Sequence, residues 1–189
     1  MPSFADLTLH TERLLLRPLR ADDAAVLYEI FSDVEVTRYW SAVPWTSLEA
    51  AITLIAAEAE LLAAGAHLRL GIELTARKRL IGTCTLFNLS EQCRRAELGY
   101  ALASAAGGKG LMHEALTSLL NHAFEQLAFN RIEADVDPRN VRSERTLERL
   151  GFRREGLLRE RWIVNDEISD SHFYGLLKRE WDARQASNA

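Results

Sequence analysis

Glu97-Leu98-Gly99-Tyr100-Ala101-Leu102, then Gly107-Gly108-Lys109-Gly110, then Leu111-Met112-His113-Glu114-Ala115-Leu116 is the stretch on which the fold turns. The first piece reads as a strand. The last opens a helix with Met112, Leu116, Leu119, Leu120, Ala123 and Leu127 along one face. Between them lies a loop nearly free of side chains, in which several backbone N–H groups can converge on a helix N-terminus. The partial positive charge there favours anions, so phosphate or pyrophosphate is the natural ligand. A plain flexible connector is the alternative reading of the same glycines. Two common phosphate patterns do not fit. Lys109 is followed by Gly110 rather than Ser or Thr, and no third glycine follows Gly108-Lys109-Gly110 at dinucleotide spacing.

Working outward, residues 67–74, 80–89 and 94–102 read as three strands, the first two joined by the polar turn Thr75-Ala76-Arg77-Lys78-Arg79. Leu7 to Leu19 reads as a strand. Asp22 or Asp23 is placed to cap a helix carrying Val26, Leu27, Ile30 and Phe31. Thr46 and Glu49 have capping-box spacing ahead of Ile52, Ile55 and Ala59, and Gly65 sits where that helix should stop. Downstream, Arg131 to Asp137 is a strand. Asn140 caps a short helix with Leu147 and Leu150 inward, ended by Gly151. Phe152 to Val164 and Ser171 to Lys178 suggest a closing hairpin around Asn165-Asp166. This order predicts an α/β (mixed α+β) fold, a mixed sheet flanked by helices, as a single domain over residues 1–189.

Composition narrows the function classes. Of 189 residues, 48% are hydrophobic and 26% charged, which suits a globular chain able to bury its own core. The 23 Lys and Arg against 27 Asp and Glu give a net charge of −4, which does not advertise nucleic-acid binding. Cys84 and Cys93 are lone thiols suited to a reducing compartment. The N-terminus lacks the basic start and apolar run of a signal peptide, and the apolar stretch Ala50 to Ala64 is too short to span a bilayer. A cytoplasmic protein without membrane or nucleic-acid partners is expected. No metal site is expected either: the five histidines lack ligand spacing, and His113-Glu114 is followed by Thr117 where a zinc-protease motif needs its second histidine.

Taken together, Glu97-Leu98-Gly99-Tyr100, Gly108-Lys109-Gly110-Leu111-Met112-His113-Glu114-Ala115-Leu116, Asn140-Val141-Arg142-Ser143 and Leu147-Glu148-Arg149-Leu150-Gly151-Phe152 resemble the GNAT acetyltransferases, in their RimJ/RimL branch of ribosomal-protein N-terminal acetyltransferases. Thr11-Glu12-Arg13-Leu14-Leu15-Leu16-Arg17 and Phe173-Tyr174-Gly175-Leu176-Leu177 with Glu180-Trp181 extend the resemblance over nearly the whole chain. It implies the GNAT fold, with a mostly antiparallel sheet splayed at a slot for acetyl-CoA, and acetylation of a primary amine. Protein N-termini are the first expectation, with small amines (an amino acid, polyamine or antibiotic) or a non-catalytic acetyl-CoA sensor as alternatives. A monomer or homodimer is expected. The resemblance places pantetheine along Tyr100, Ala101 and Leu102, and pyrophosphate on Gly107, Gly108, Lys109, Gly110, Leu111 and Met112. The loop departs from the family pattern at Ala105 and Ala106, where a Gln or Arg is usual.

Acetyl transfer needs a neutral amine, a polarised carbonyl and a leaving thiol. Free amines are largely protonated at neutral pH, so a base helps. Glu97 is the candidate base or water-holder, or else an edge carboxylate paired with Arg94 or Arg95. Ser143 is the candidate at the thiol end, or else an ordinary first-turn residue. Asn140 can bond pantetheine, cap its helix, or do both. A backbone N–H near Tyr100 can polarise the carbonyl. Tyr39, Trp40 and Trp45 are candidates for the acceptor groove or for stapling helices together, and the segment around Trp162 and Asp166 for its other wall. Arg139, Arg142 and Arg145 can meet the adenosine 3′-phosphate or form a solvated helix face.

Overall fold

Leu68, Leu70 and Ile72 alternate along one strand, and all three are fully buried. This strand lies in an eight-stranded sheet of order β1-β2-β3-β4-β5-β6-β8-β7. The computed structural model describes residues 1–188. Ala189, the last residue of the expected domain, lies outside them. The strands are β1 (Leu9–His10), β2 (Leu14–Arg17), β3 (Leu68–Leu74), β4 (Arg79–Ser90), β5 (Arg95–Leu102), β6 (Arg131–Val136), β7 (Arg153–Val164) and β8 (Glu167–Leu177). The helices are α1 (Ala24–Ser32), α2 (Val34–Thr37), α3 (Leu48–Ala63), α4 (Leu111–Asn121), α5 (Val141–Leu150) and α6 (Lys178–Asn188). Every pairing is antiparallel except β5 with β6.

Two apolar clusters fill the two faces. The larger joins Leu116, Leu119 and Leu120 of α4 and Leu147 and Leu150 of α5 to Leu70, Leu86, Leu98 and Ile132. The smaller sets Leu27, Ile30 and Phe31 of α1 against Leu80 and Ala101. The mixed sheet flanked by helices is therefore as the sequence predicts.

Several local expectations are corrected. The strand read over Leu7 to Leu19 is a hairpin of two short strands, because the Thr11 hydroxyl accepts from the Leu14 amide at 3.0 Å and turns the chain. Asp23 does not cap α1 with its side chain. Its carboxylate is taken by Arg17, at 2.7 and 2.8 Å. Ser47, not Thr46, stands at the start of α3, without a side-chain cap bond. The short α2 and the terminal α6 were not anticipated. Trp181 anchors α6: it is 2% exposed, and its indole N–H donates to Asn121 at 2.9 Å. The closing hairpin forms around Asn165-Asp166, both at positive φ as a two-residue hairpin turn requires, but β8 begins at Glu167 rather than Ser171.

Arg17 ties β2 to β3 and to the start of α1. Its guanidinium bonds Asp23 and Glu73 while its side chain is 4% exposed. Burial alone would raise the Asp23 carboxyl, but the Arg17 guanidinium and the Arg20 amide hold it below its ordinary value. Arg17→Met leaves two carboxylates buried without their cation, and a loss of about 3–5 kcal/mol in urea unfolding at pH 7 is expected. Asp23 is depressed in the folded state, so its contribution is present above the unfolded pKa and lost as pH falls. The stability gap between wild type and Arg17→Met should therefore close below about pH 3.9.

Candidate active site

β5 and β6 are paired only at Arg95↔Arg131, Ala96↔Ile132 and Glu97↔Glu133. The Arg94 carbonyl accepts from the Arg131 amide, so the even-numbered backbone groups of β5 face β6. Beyond Glu97 the strands part, and the backbone groups of Tyr100 and Leu102 on that side have no strand partner. Ala101 differs. It pairs with Thr83 of β4, and its methyl group is buried in the smaller core. The opening is a cavity of about 440 Å³ bordered by both strands, α5 and the loop after α2. Side chains alternate across a sheet, so Glu97 and Gly99 border it on the α1 face, and Leu98 and Tyr100 on the α4 face.

The glycine loop lies on the far end of β5. The Gly107 amide is already used, donating to the Ser104 carbonyl at 3.2 Å. The amides of Gly108, Lys109, Gly110, Leu111, Met112 and His113 have no hydrogen-bond partner among the described residues, and the first bond of the helix is Glu114 N–H to the Gly110 carbonyl. The run of unpartnered amides, Gly108 to His113, is thus shifted one residue from the Gly107–Met112 span that the sequence suggests. Gly108 and Gly110 hold φ of +75° and +74°, and a Cβ on Gly108 would meet nothing within 4 Å. The side chains of Leu111 and Met112 point the other way, into the larger core. Arg13 braces the loop from behind, bonding Glu114 at 2.6 Å and the Lys109 carbonyl at 3.1 Å.

Glu97 is not paired with Arg94 or Arg95. Arg95 bonds Glu133 instead, at 2.7 Å. Glu97 accepts from the Asn88 amide at 3.0 Å. The β4–β5 register is irregular between Phe87 and Ser90, and Asn88 sits there at φ +49°. A bulge thus aims a neutral donor at the carboxylate. On the other face the Tyr100 hydroxyl lies 2.7 Å from the Ser143 hydroxyl and 3.2 Å from the Ser143 carbonyl. Burial pushes the Tyr100 phenol well up, partly offset by its bond to Ser143. It is a hydrogen-bonding group, not a source of protons near neutral pH. Asn140 caps α5, its side-chain oxygen accepting from the Ser143 amide at 3.1 Å, while its own NH₂ makes no bond among the described residues.

The acceptor candidates separate. Tyr39, Trp40 and Trp162 line the cavity. Trp45 does not. Its ring packs on Phe31, 4.7 Å between centroids, and staples the chain to α1. Asp166 is at the hairpin tip, away from the lining. Arg139 is held by Asp137 at 2.6 Å and by Glu167, whereas Arg142 and Arg145 are exposed with no ion pair among the described residues. Sequence reasoning missed the Tyr100 side chain, Asn88, and the lining residues His67, Arg69 and Asp135. Only the alternation of β3 and β6 hinted at the last three.

A family model described as Acetyltransferase (GNAT) domain matches residues 13–153. The chain is 38% identical over 174 residues to an uncharacterized N-acetyltransferase, p20, of Bacillus licheniformis, covering 92% of this chain and 98% of that protein. It is 32% identical over 105 residues to the ribosomal protein uS5-alanine N-acetyltransferase of Escherichia coli (strain K12), covering 55% and 54%. The structure of Mycobacterium smegmatis RimJ in complex with CoA-disulfide superimposes with a TM-score of 0.85 at 25% identity, covering 100% of this chain and 97% of that one.

Gly108→Val puts a branched side chain at positive φ into space that an anion on the loop amides would use. Titration calorimetry with CoA is expected to show affinity lowered at least about tenfold, two or more lost charge-assisted bonds being sufficient for that. Gly156→Val, on β7 and equally free of neighbours within 4 Å, serves as the control and should leave the affinity unchanged.

Proposed function

This chain belongs to the GNAT acetyltransferase family and is an N-acetyltransferase that uses acetyl-CoA, and we propose that its acceptor is a protein or peptide N-terminal amine. The single observation that carries the reading is the opening between β5 and β6, with a carboxylate on one face and a pair of hydroxyls on the other. Acetyl-CoA supplies a thioester whose carbonyl carbon takes the amine and whose sulfur leaves.

The residues fit that co-substrate. The unpartnered amides from Gly108 to His113 hold its pyrophosphate, and the free backbone groups of Tyr100 and Leu102 hold its pantetheine arm. A free N–H on β5 near Tyr100 polarises the carbonyl. Glu97 removes a proton from the acceptor ammonium, directly or through one water. Asn88 holds one Glu97 oxygen and so fixes the direction of the other. Ser143 donates to the departing sulfur. The Tyr100 and Ser143 hydroxyls share a hydrogen bond in which either can donate, and with Tyr100 as donor the serine proton is free for the sulfur. Proton transfer from Tyr100 itself would be steeply uphill, since burial raises its phenol far above an ordinary thiol. Its part is to orient Ser143.

The likeness to an enzyme named for the alanine of ribosomal protein uS5 supports an N-terminal acceptor. The size of the cavity, about 440 Å³, favours a second reading, a free small amine. Release of free CoA across peptides with Ala, Ser and Met N-termini, polyamines, amino acids and aminoglycosides separates the two. Peptide-dependent release is expected, and release with a free amine alone overturns the N-terminal reading. Glu97→Gln is expected to lower kcat by about 10²–10⁴ with acetyl-CoA affinity little changed. Equal kcat in the two proteins across pH would remove Glu97 from the reaction.

A further inference from the structure

Buried Glu58 and half-buried His67 and Arg69 form a cluster on the α1 face of the sheet, outside the residues assigned to the transfer. Glu58 of α3 is 3% exposed. Its carboxylate lies 3.0 Å from His67 Nδ1 and 3.2 Å from Arg69 Nε. Neither approach has hydrogen-bond geometry: Glu58 Oε2, Arg69 Nε and His67 Nε2 are all without a partner. The terminal nitrogens of Arg69 also make no hydrogen bond among the described residues, and both His67 and Arg69 line the cavity. The other arginine of the lining, Arg161, is different, since its guanidinium bonds Asp135 at 3.2 Å.

The register places this cluster across from Glu97. Arg69 pairs with Thr85, and Thr85 with Gly99, so the three form one row across β3, β4 and β5. Phe87 pairs with Glu97, and the His67 ring meets Phe87 edge-on at 6.2 Å. A threonine and a glycine on the middle and far strands leave the floor low between Arg69 and the β5 side. Charge therefore changes sign across the cavity. A guanidinium stands at β3, and at β5 stands a carboxylate whose hydrogen-bond partner is a neutral amide. The two strands are two interstrand steps of about 4.8 Å apart, with Glu97 two residues along β5 from Gly99, the residue in the Arg69 row.

Burial lowers the pKa of Arg69 and Glu58 opposes that, but a guanidinium stays charged throughout the working pH range. Arg69 Nε is withdrawn from water beside a counter-charge without an aligned bond, and the terminal nitrogens of the same guanidinium make no hydrogen bond at the cavity edge. An oxygen pair from outside completes the fork. We propose that Arg69, with His67 beside it, receives a carboxylate carried by the acceptor, so that the enzyme prefers amines with an acidic group a few bonds from the reacting nitrogen. The proposal rests on the acetyltransferase reading. It adds to it the chemistry of the acceptor: ammonium toward Glu97, carboxylate toward Arg69. That carboxylate has two sources, an acidic side chain early in a peptide or the α-carboxylate of a free amino acid.

Two matched pairs test it: Ser-Glu-Ala-amide against Ser-Gln-Ala-amide, and serine against serinamide, each followed by CoA release. The expected result is kcat/KM about 10–100-fold higher for the acidic member of at least one pair, as bonds to a charged group warrant. Arg69→Gln should bring that ratio to near one. Because Arg69→Gln leaves Glu58 buried without its cation, a Glu58→Gln, Arg69→Gln double variant is measured beside it and should give the same ratio. A wild-type ratio near one in both pairs overturns the proposal, and so does a ratio that survives in the variants. Acetylation of both peptides at equal rates, with serine and serinamide also equal, overturns it while keeping the N-terminal reading. A preference for serine over serinamide, with neither peptide acetylated, keeps the Arg69 site and overturns the N-terminal reading.

Discussion

Hydrogen bonding between β5 and β6 stops after Glu97↔Glu133, and most of the molecule is arranged around that stop. Unpaired backbone inside a sheet is costly unless something else satisfies it. The closed end of the pair is held hard. Glu133 receives both Arg95 and Arg131 at 2.7 Å, and Arg131 reaches on to Glu155 of β7. Gly175 of β8 makes room for that ladder, since a Cβ there would lie 2.5 Å from Glu155 and 2.6 Å from Arg131. Pairing is thus clamped on one side of Glu97 and absent on the other. The open end is left for a ligand that can itself donate and accept.

The elements around the opening serve it from both faces. The bulge in β4 turns Asn88 toward Glu97, and α5 carries Ser143 to within 2.7 Å of Tyr100. The 3₁₀ turn Ser104–Ala106 consumes the Gly107 amide and delivers the following six unbonded to the helix start. Arg13 and Glu114 then fix that loop to the N-terminal hairpin. A segment a hundred residues distant in sequence thus holds the glycine loop in place.

Buried charge is handled in two contrasting ways. Arg17 is saturated, with Asp23 and Glu73 in hydrogen-bond geometry, and it holds elements together. Arg69 has a counter-charge in Glu58 but no aligned bond, and it borders the cavity. The same residue type is thus fully buried and saturated in one place, and half-buried at the cavity edge without an aligned bond in the other. Composition cannot separate them.

Much of the architecture was legible along the chain, because its signals are local. Alternation marks β3 to β6, the apolar stripe from Met112 to Leu120 marks α4, and Gly108, Gly110 and Gly151 stand at the positive φ that mark loop and helix ends. Glu97, Asn140 and Ser143 were named from their neighbours in sequence. The geometry that decides their surroundings was not available there. Whether Glu97 meets Arg95 or Asn88 depends on a register irregularity, and whether Trp45 or Trp162 faces the cavity depends on where the loop before α3 and the distant strand β7 pack. The sequence by itself determined most of the strands and helices and where the glycine loop lies, since dihedral preference and hydrophobic period act over a few residues. Only the tertiary structure decided which buried ions are satisfied, that Tyr100 reaches Ser143, and that Arg69 and Glu97 border the same cavity from strands two apart in the sheet, because each depends on cross-strand neighbours tens of residues apart.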